Sequence, residues 1–137
     1  MSAKRLAVLS ILVAASCKSP SATEQMDSVI SWVGTAGMTG EAWLKHTTPD
    51  KYTRQTLDLS HDSLLDIASG LFKALPAGID SAVLDSALTR SSGHIGLMSK
   101  LVEQKNSPDF RAALDSLYED EKLLKQLGDS VEAKEEQ

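Results

Sequence analysis

Three histidines, a Ser-His-Asp tripeptide and a set of Asp-Ser pairs are the places where this chain's residue types could do chemistry. A helical metal site needs ligands three or four residues apart on one face, as in His-Glu-x-x-His, and a haem attachment needs Cys-x-x-Cys-His. His46, His61 and His94 satisfy neither pattern. The Glu-x-x-His pair that di-iron bundles take from two helices is missing too. Ser60-His61-Asp62 has the residue types of a hydrolytic triad. Neighbours on a helix point about 100° apart, whereas a triad needs side chains converging from separate elements. No Gly-x-Ser-x-Gly elbow or phosphate-cradling glycine loop occurs. Asp-Ser recurs at 27–28, 62–63, 80–81, 85–86, 115–116 and 129–130, residue types that fill helix caps and solvated faces. The sequence therefore predicts no catalytic residues, no metal and no cofactor.

One apolar feature invites a binding reading. Gly34, Gly37 and Gly40 recur every three residues, and Trp32 and Trp43 stand on nearly the same side of a helix of 3.6 residues per turn. Glycine inside a helix is unfavourable unless something approaches closely. Two arrangements satisfy that requirement. Either a neighbouring helix packs tightly there with both tryptophans in the core, or the five residues line a groove for a partner helix or an apolar ligand, with tryptophan as anchor.

The elements that must position these residues are helices. Ser21 and Glu24 fit a capping box, followed at helical spacing by Met26, Val29, Ile30, Val33, Ala36, Trp43 and Leu44. Thr48-Pro49-Asp50 separates this segment from a second, with threonine as cap and proline at the first helical position. The second places Leu57, Leu64, Ala68, Leu71 and Leu75 opposite Lys51, Arg54, Asp58, Asp62, Asp66, Ser69 and Lys73, an amphipathic helix. Pro76-Ala77-Gly78 breaks the chain again. Asp80 caps a third segment carrying Val83, Leu84, Ala87, Leu88, Ile95, Met98, Leu101 and Val102. Its middle, Arg90 to Gly96, holds two glycines that each cost ~1 kcal/mol relative to alanine, so a kink or loose stretch is predicted there. Ser107 is the expected cap of the fourth segment, where Ser107-Pro108-Asp109 repeats the earlier turn. Phe110, Leu114, Leu117, Leu124, Leu127 and Val131 then face inward. Residues 132–137 read as a charged, fraying tail. No alternation of period two competes, and aromatic residues are only 4% of the chain. The prediction is all-α, an up-down-up-down four-helix bundle or two helical hairpins spanning residues 21–131.

The first residues form a separate unit. Lys4 and Arg5 precede about ten apolar residues, too few for the ~20 that span a bilayer core, and small residues follow, the layout of a secretory signal over residues 1–16. Val13-Ala14-Ala15-Ser16-Cys17 resembles the lipobox of bacterial lipoproteins, with Ala14 where leucine is commonest. The resemblance covers roughly the first 18 residues. It implies diacylglyceryl transfer to the Cys17 thiol, removal of the signal peptide and a further acyl chain, such as palmitate, on the new amino group. Two or more chains anchor a protein stably where one holds it only marginally. Residues 17–20 would then be the lipidated cysteine and a tether short enough to keep the domain at the membrane surface. Lys18, rather than aspartate, after the cysteine implies by the same resemblance the periplasmic face of the outer membrane in a host that has one.

Beyond residue 16 the chain carries 12 basic and 19 acidic side chains, net −7. An acidic body is repelled by nucleic-acid phosphates, so no nucleic-acid partner is expected. One cysteine excludes an internal disulfide. The combined reading is a lipid-anchored, non-catalytic binding or structural module of the cell envelope, its partners the membrane through Cys17 and an envelope protein. A carrier of a small apolar ligand or lipid between the helices is the alternative.

Overall fold

The apolar residues recur three and four apart through four segments, and in the computed structural model each segment is a helix. The structure describes residues 19–137, so the signal segment and Cys17 lie outside the described residues. Helix α1 spans Ala22–Leu44, α2 Asp50–Ala74, α3 Ser81–Glu103 and α4 Ser107–Glu135, and no strand occurs among the described residues. Sequential helices pack along one another, α4 closes against α1, and diagonal contact between α1 and α3 is slight. This is the four-helix bundle that the pattern predicts, with adjacent helices antiparallel.

Its core is aliphatic. Leu57, Leu64 and Leu71 form one buried row on α2 and meet Val29, Val33, Leu84, Ile95, Leu114, Leu117 and Leu124 from the other helices. Burying one such side chain stabilises by roughly 1.5–3 kcal/mol. Trp43 and Phe110 close one end, with ring centroids 4.6 Å apart and planes inclined at 52°.

The ends follow local chemistry. Ser21 Oγ accepts from the Glu24 amide at 3.1 Å, and Asp80 Oδ1 accepts from the amides of Ala82 and Val83. The two proline turns differ from the expectation in register. Pro49 occupies the N-cap position of α2, not its first helical residue, and no side chain caps this terminus. Thr48 instead shares a hydrogen bond with Thr53, whose hydroxyl reaches the Pro49 carbonyl. At α4 the cap is Asn106 rather than Ser107: its Oδ1 accepts from the Asp109 amide, and Pro108 falls inside the first turn.

Helices α1 and α3 end alike. The Thr47 amide donates to the Ala42 carbonyl and that of His46 to Trp43, and Asn106 and Lys105 repeat the pattern on Leu101 and Val102. These are Schellman motifs, which need a left-handed residue after the cap and usually take glycine. Here that residue is His46 at φ 60° and Lys105 at φ 55°.

Two further expectations need correction. Helix α3 runs unbroken through Gly93 and Gly96. Ser91 and Ser92, buried in that stretch, direct their hydroxyls to the carbonyls of Ala87 and Thr89, so no polar group there needs a break in the helix. The charged tail does not fray at residue 132 either: α4 continues to Glu135, whose carboxylate accepts from the Thr23 amide at 2.9 Å and covers the start of α1.

Candidate functional site

Polar side chains that could act together must come from facing helices, and two such clusters flank α4. On its α1 side, Arg111 and Tyr118 reach Glu41. Arg111 Nη1 donates to Glu41 Oε1 at 2.8 Å, Nη2 reaches Oε2 at 3.4 Å, and the Tyr118 hydroxyl donates to Oε1 at 2.8 Å. Hydrogen bonds from Arg111 and then Tyr118 hold the Glu41 carboxyl below its usual range. Tyr118 is pushed up to about 12, first by burial and then by donating to Glu41. Arg111, raised mainly by Glu41, stays charged.

On the α3 side, Asp120 is nearly enclosed. His94 Nδ1 lies 2.6 Å from its Oδ2, Arg90 Nε lies 3.4 Å from its Oδ1, and Arg90 Nη1 also reaches Ser86 Oγ at 3.1 Å. The carboxylate accepts from both, which places the imidazole proton on Nδ1. Arg90 and His94 lie four apart on one helix face, a pairing visible in sequence; the partner 26 residues further on was not. Nothing in the sequence signalled that Arg111 and Tyr118 would meet Glu41, which lies 70 and 77 residues before them.

These clusters tie helices together. Ser116 borders the same open depression as His94, but its hydroxyl donates to the Ala112 carbonyl at 3.1 Å. Ser60 is buried with its hydroxyl on the Thr56 carbonyl, while His61 and Asp62 pair with each other at the surface. The tripeptide therefore does not converge. Among the described residues no three His, Cys, Asp or Glu side chains gather to hold a metal ion.

The glycine and tryptophan positions separate. Trp43 is buried, with its indole N–H donating to Asp50 Oδ1 at 2.8 Å, and Trp32 packs half-buried against the core. A Cβ on Gly37 would stand 3.1 Å from Tyr118 Cε1, and one on Gly40 would stand 2.9 Å from Met98 Cε and 3.2 Å from the Phe110 ring. Both glycines thus let a neighbouring side chain approach the α1 backbone. Gly34 has nothing within 4 Å and borders an open cleft with Ser31, Met38, Glu41, Lys45 and Tyr118. Trp32, Gly37, Gly40 and Trp43 do not line that cleft. The other described depressions are likewise open to solvent, most of them bordered by charged side chains.

Comparison of the chain with protein-family models, curated proteins and solved structures finds no match.

Proposed function

We propose that this protein is a lipid-anchored helical module of the bacterial cell envelope, joined to the membrane through Cys17 and acting by binding or spacing. The observation that carries the proposal is the Val13-to-Cys17 lipobox, placed five residues before a bundle that begins at Ala22. The described core runs from Ala22 to Val131. It is therefore built from residues that signal-peptide removal would leave in place. No described helix is long and apolar enough to cross a membrane, so the lipid would be the attachment. Tethering raises the effective concentration of the bundle for other membrane-held proteins.

The interior favours a module over a ligand carrier. Met26, Val29, Leu57, Leu84, Met98, Phe110 and Leu117 fill it with no exposed surface, and a carrier needs a cavity that these side chains would have to vacate.

Metabolic labelling with a fatty acid tests the anchor. The chain should take up label and fractionate with membranes, and Cys17→Ala should abolish both while leaving the helical circular-dichroism signal intact. Label or membrane retention in Cys17→Ala would overturn the assignment.

A further inference from the structure

The acidic character of the chain is not shared by its whole length. Antiparallel packing brings the α1–α2 and α3–α4 turns to one end, as Trp43 against Phe110, Arg111 on Glu41 and Arg54 on Glu103 show. Residues 41–54 and 100–111, which build that end, carry six basic and four acidic side chains. The remainder of residues 17–137 carries six basic and fifteen acidic ones.

The four carboxylates of this end are already engaged. Glu41 takes Arg111 and Tyr118, Asp50 takes the Trp43 indole, Glu103 takes Arg54 at 3.4 Å, and Asp109 accepts from the Asn106 side-chain amide at 2.8 Å. Lys45, Lys51, Lys100 and Lys105 are exposed, and among the described residues none pairs with a carboxylate. His46, also exposed, and Lys105 stand in the left-handed conformation, where a β-carbon is strained. The fold thus holds Lys105, a cation, and His46 at two turn positions suited to glycine.

We propose that this end of the bundle is a docking surface for an acidic segment of another protein. Both guanidiniums at this end are occupied by Glu103 and Glu41, which leaves four unpaired ammonium groups as the charge complement of acidic side chains. The N-termini of α2 and α4, ordinarily anion sites, each carry a carboxylate of the chain itself, Asp50 and Asp109. Tyr52, 56% exposed in the first turn of α2, adds an aromatic group of the kind enriched in protein interfaces. Where the Cys17 anchor holds, which rests on the reading above, the surface faces away from the membrane. It would lie about 35 Å out, the length of a 23-residue helix.

Binding of poly-L-glutamate to the full chain in non-ionic detergent, followed by fluorescence anisotropy, tests the surface. Binding should weaken at least about tenfold between about 0.01 M and about 0.15 M salt. It should be lost in the Lys45→Gln, Lys51→Gln, Lys100→Gln, Lys105→Gln combination and kept in Lys73→Gln, Lys134→Gln. Three results would overturn the proposal: no binding at low salt, binding that survives the fourfold change, or a lysine-dependent preference for inorganic polyphosphate or phosphatidylglycerol vesicles over polyglutamate. Fatty-acid labelling of the same preparation reports the anchor independently, so a failed surface and a failed anchor are distinguishable.

Discussion

Helix α4 meets α1 and α3 through clusters of similar composition and different depth. Each has a carboxylate, an arginine and a ring that hydrogen-bonds it: Glu41 with Arg111 and Tyr118, Asp120 with Arg90 and His94. The Glu41 side chain keeps 28% of its surface in water and the Asp120 side chain 7%. An exposed pair gains little because water serves both partners almost as well. A buried carboxylate has no such alternative, so losing a partner costs the desolvation already incurred. The α3–α4 cluster should therefore be the one the fold cannot lose, and the α1–α4 cluster the one it can tune.

The strongest attempt to break that contrast is His94→Leu. It leaves the buried Asp120 with only the 3.4 Å contact from Arg90, and urea unfolding should show a loss of about 3 kcal/mol. Tyr118→Phe, which removes one hydrogen bond to a carboxylate that keeps Arg111, should cost only about 1 kcal/mol. Adding Asp120→Leu to His94→Leu should recover much of the loss, because no charge is then buried. Equal costs at His94 and Tyr118 would mean that depth does not govern these clusters.

The contrast extends to backbone approach. The α1–α4 seam is close at Gly37, where the Tyr118 ring edge would lie 3.1 Å from an added Cβ, and open at Gly34. Gly37→Leu must displace that ring and should destabilise by about 2 kcal/mol. Gly34→Ala should instead stabilise by about 1 kcal/mol, since only helix propensity changes. Thermal denaturation of the two variants reads both signs. A neutral Gly37→Leu that has lost a binding partner would restore the groove reading of these glycines.

Helix number, direction and core were legible because burial follows a period that the sequence carries: Leu57, Leu64 and Leu71 lie seven apart and all end inside. Caps were legible where one side chain decides them, as at Ser21 and Asp80. They were misplaced by one residue at both proline turns, where Asn106 outcompetes Ser107 and Pro49 leaves no side-chain cap. Helix α3 was expected to loosen at Gly93, yet tertiary packing holds it. Ile95 between the glycines, Met98 and Val102 after them, and Leu84, Ala87 and Leu88 before them are buried in the same core. The close approach at Gly37 and Gly40 was readable in α1 itself, but which neighbour arrives was not. The polar clusters were the least legible part. Glu41 and Tyr118 are ordinary surface residue types 77 positions apart, joined only by the closing of α4 onto α1.

The smallest effect is the most specific to one cluster. Tyr118 is pushed up to about 12 from the 10.0 of an unperturbed phenol, with burial as the larger cause and donation to Glu41 as the next. Its folded-state value is raised, so its contribution to stability is complete below pH 10 and is lost as the pH climbs from 10 towards 12. Glu41 has the opposite sign: held below 4.5, it contributes above that pH and ceases to as acid protonates it. In a Tyr52→Phe background Tyr118 is the one remaining tyrosine, so phenolate absorbance reports it alone. Adding Glu41→Gln should bring its midpoint part of the way back towards 10, because burial persists while the charged acceptor is gone. An unchanged midpoint would assign the whole displacement to burial and remove Glu41 from the account of Tyr118. A return all the way to 10 would show that the ring was never shielded, and that the seam at Gly37 is looser than the 3.1 Å approach implies.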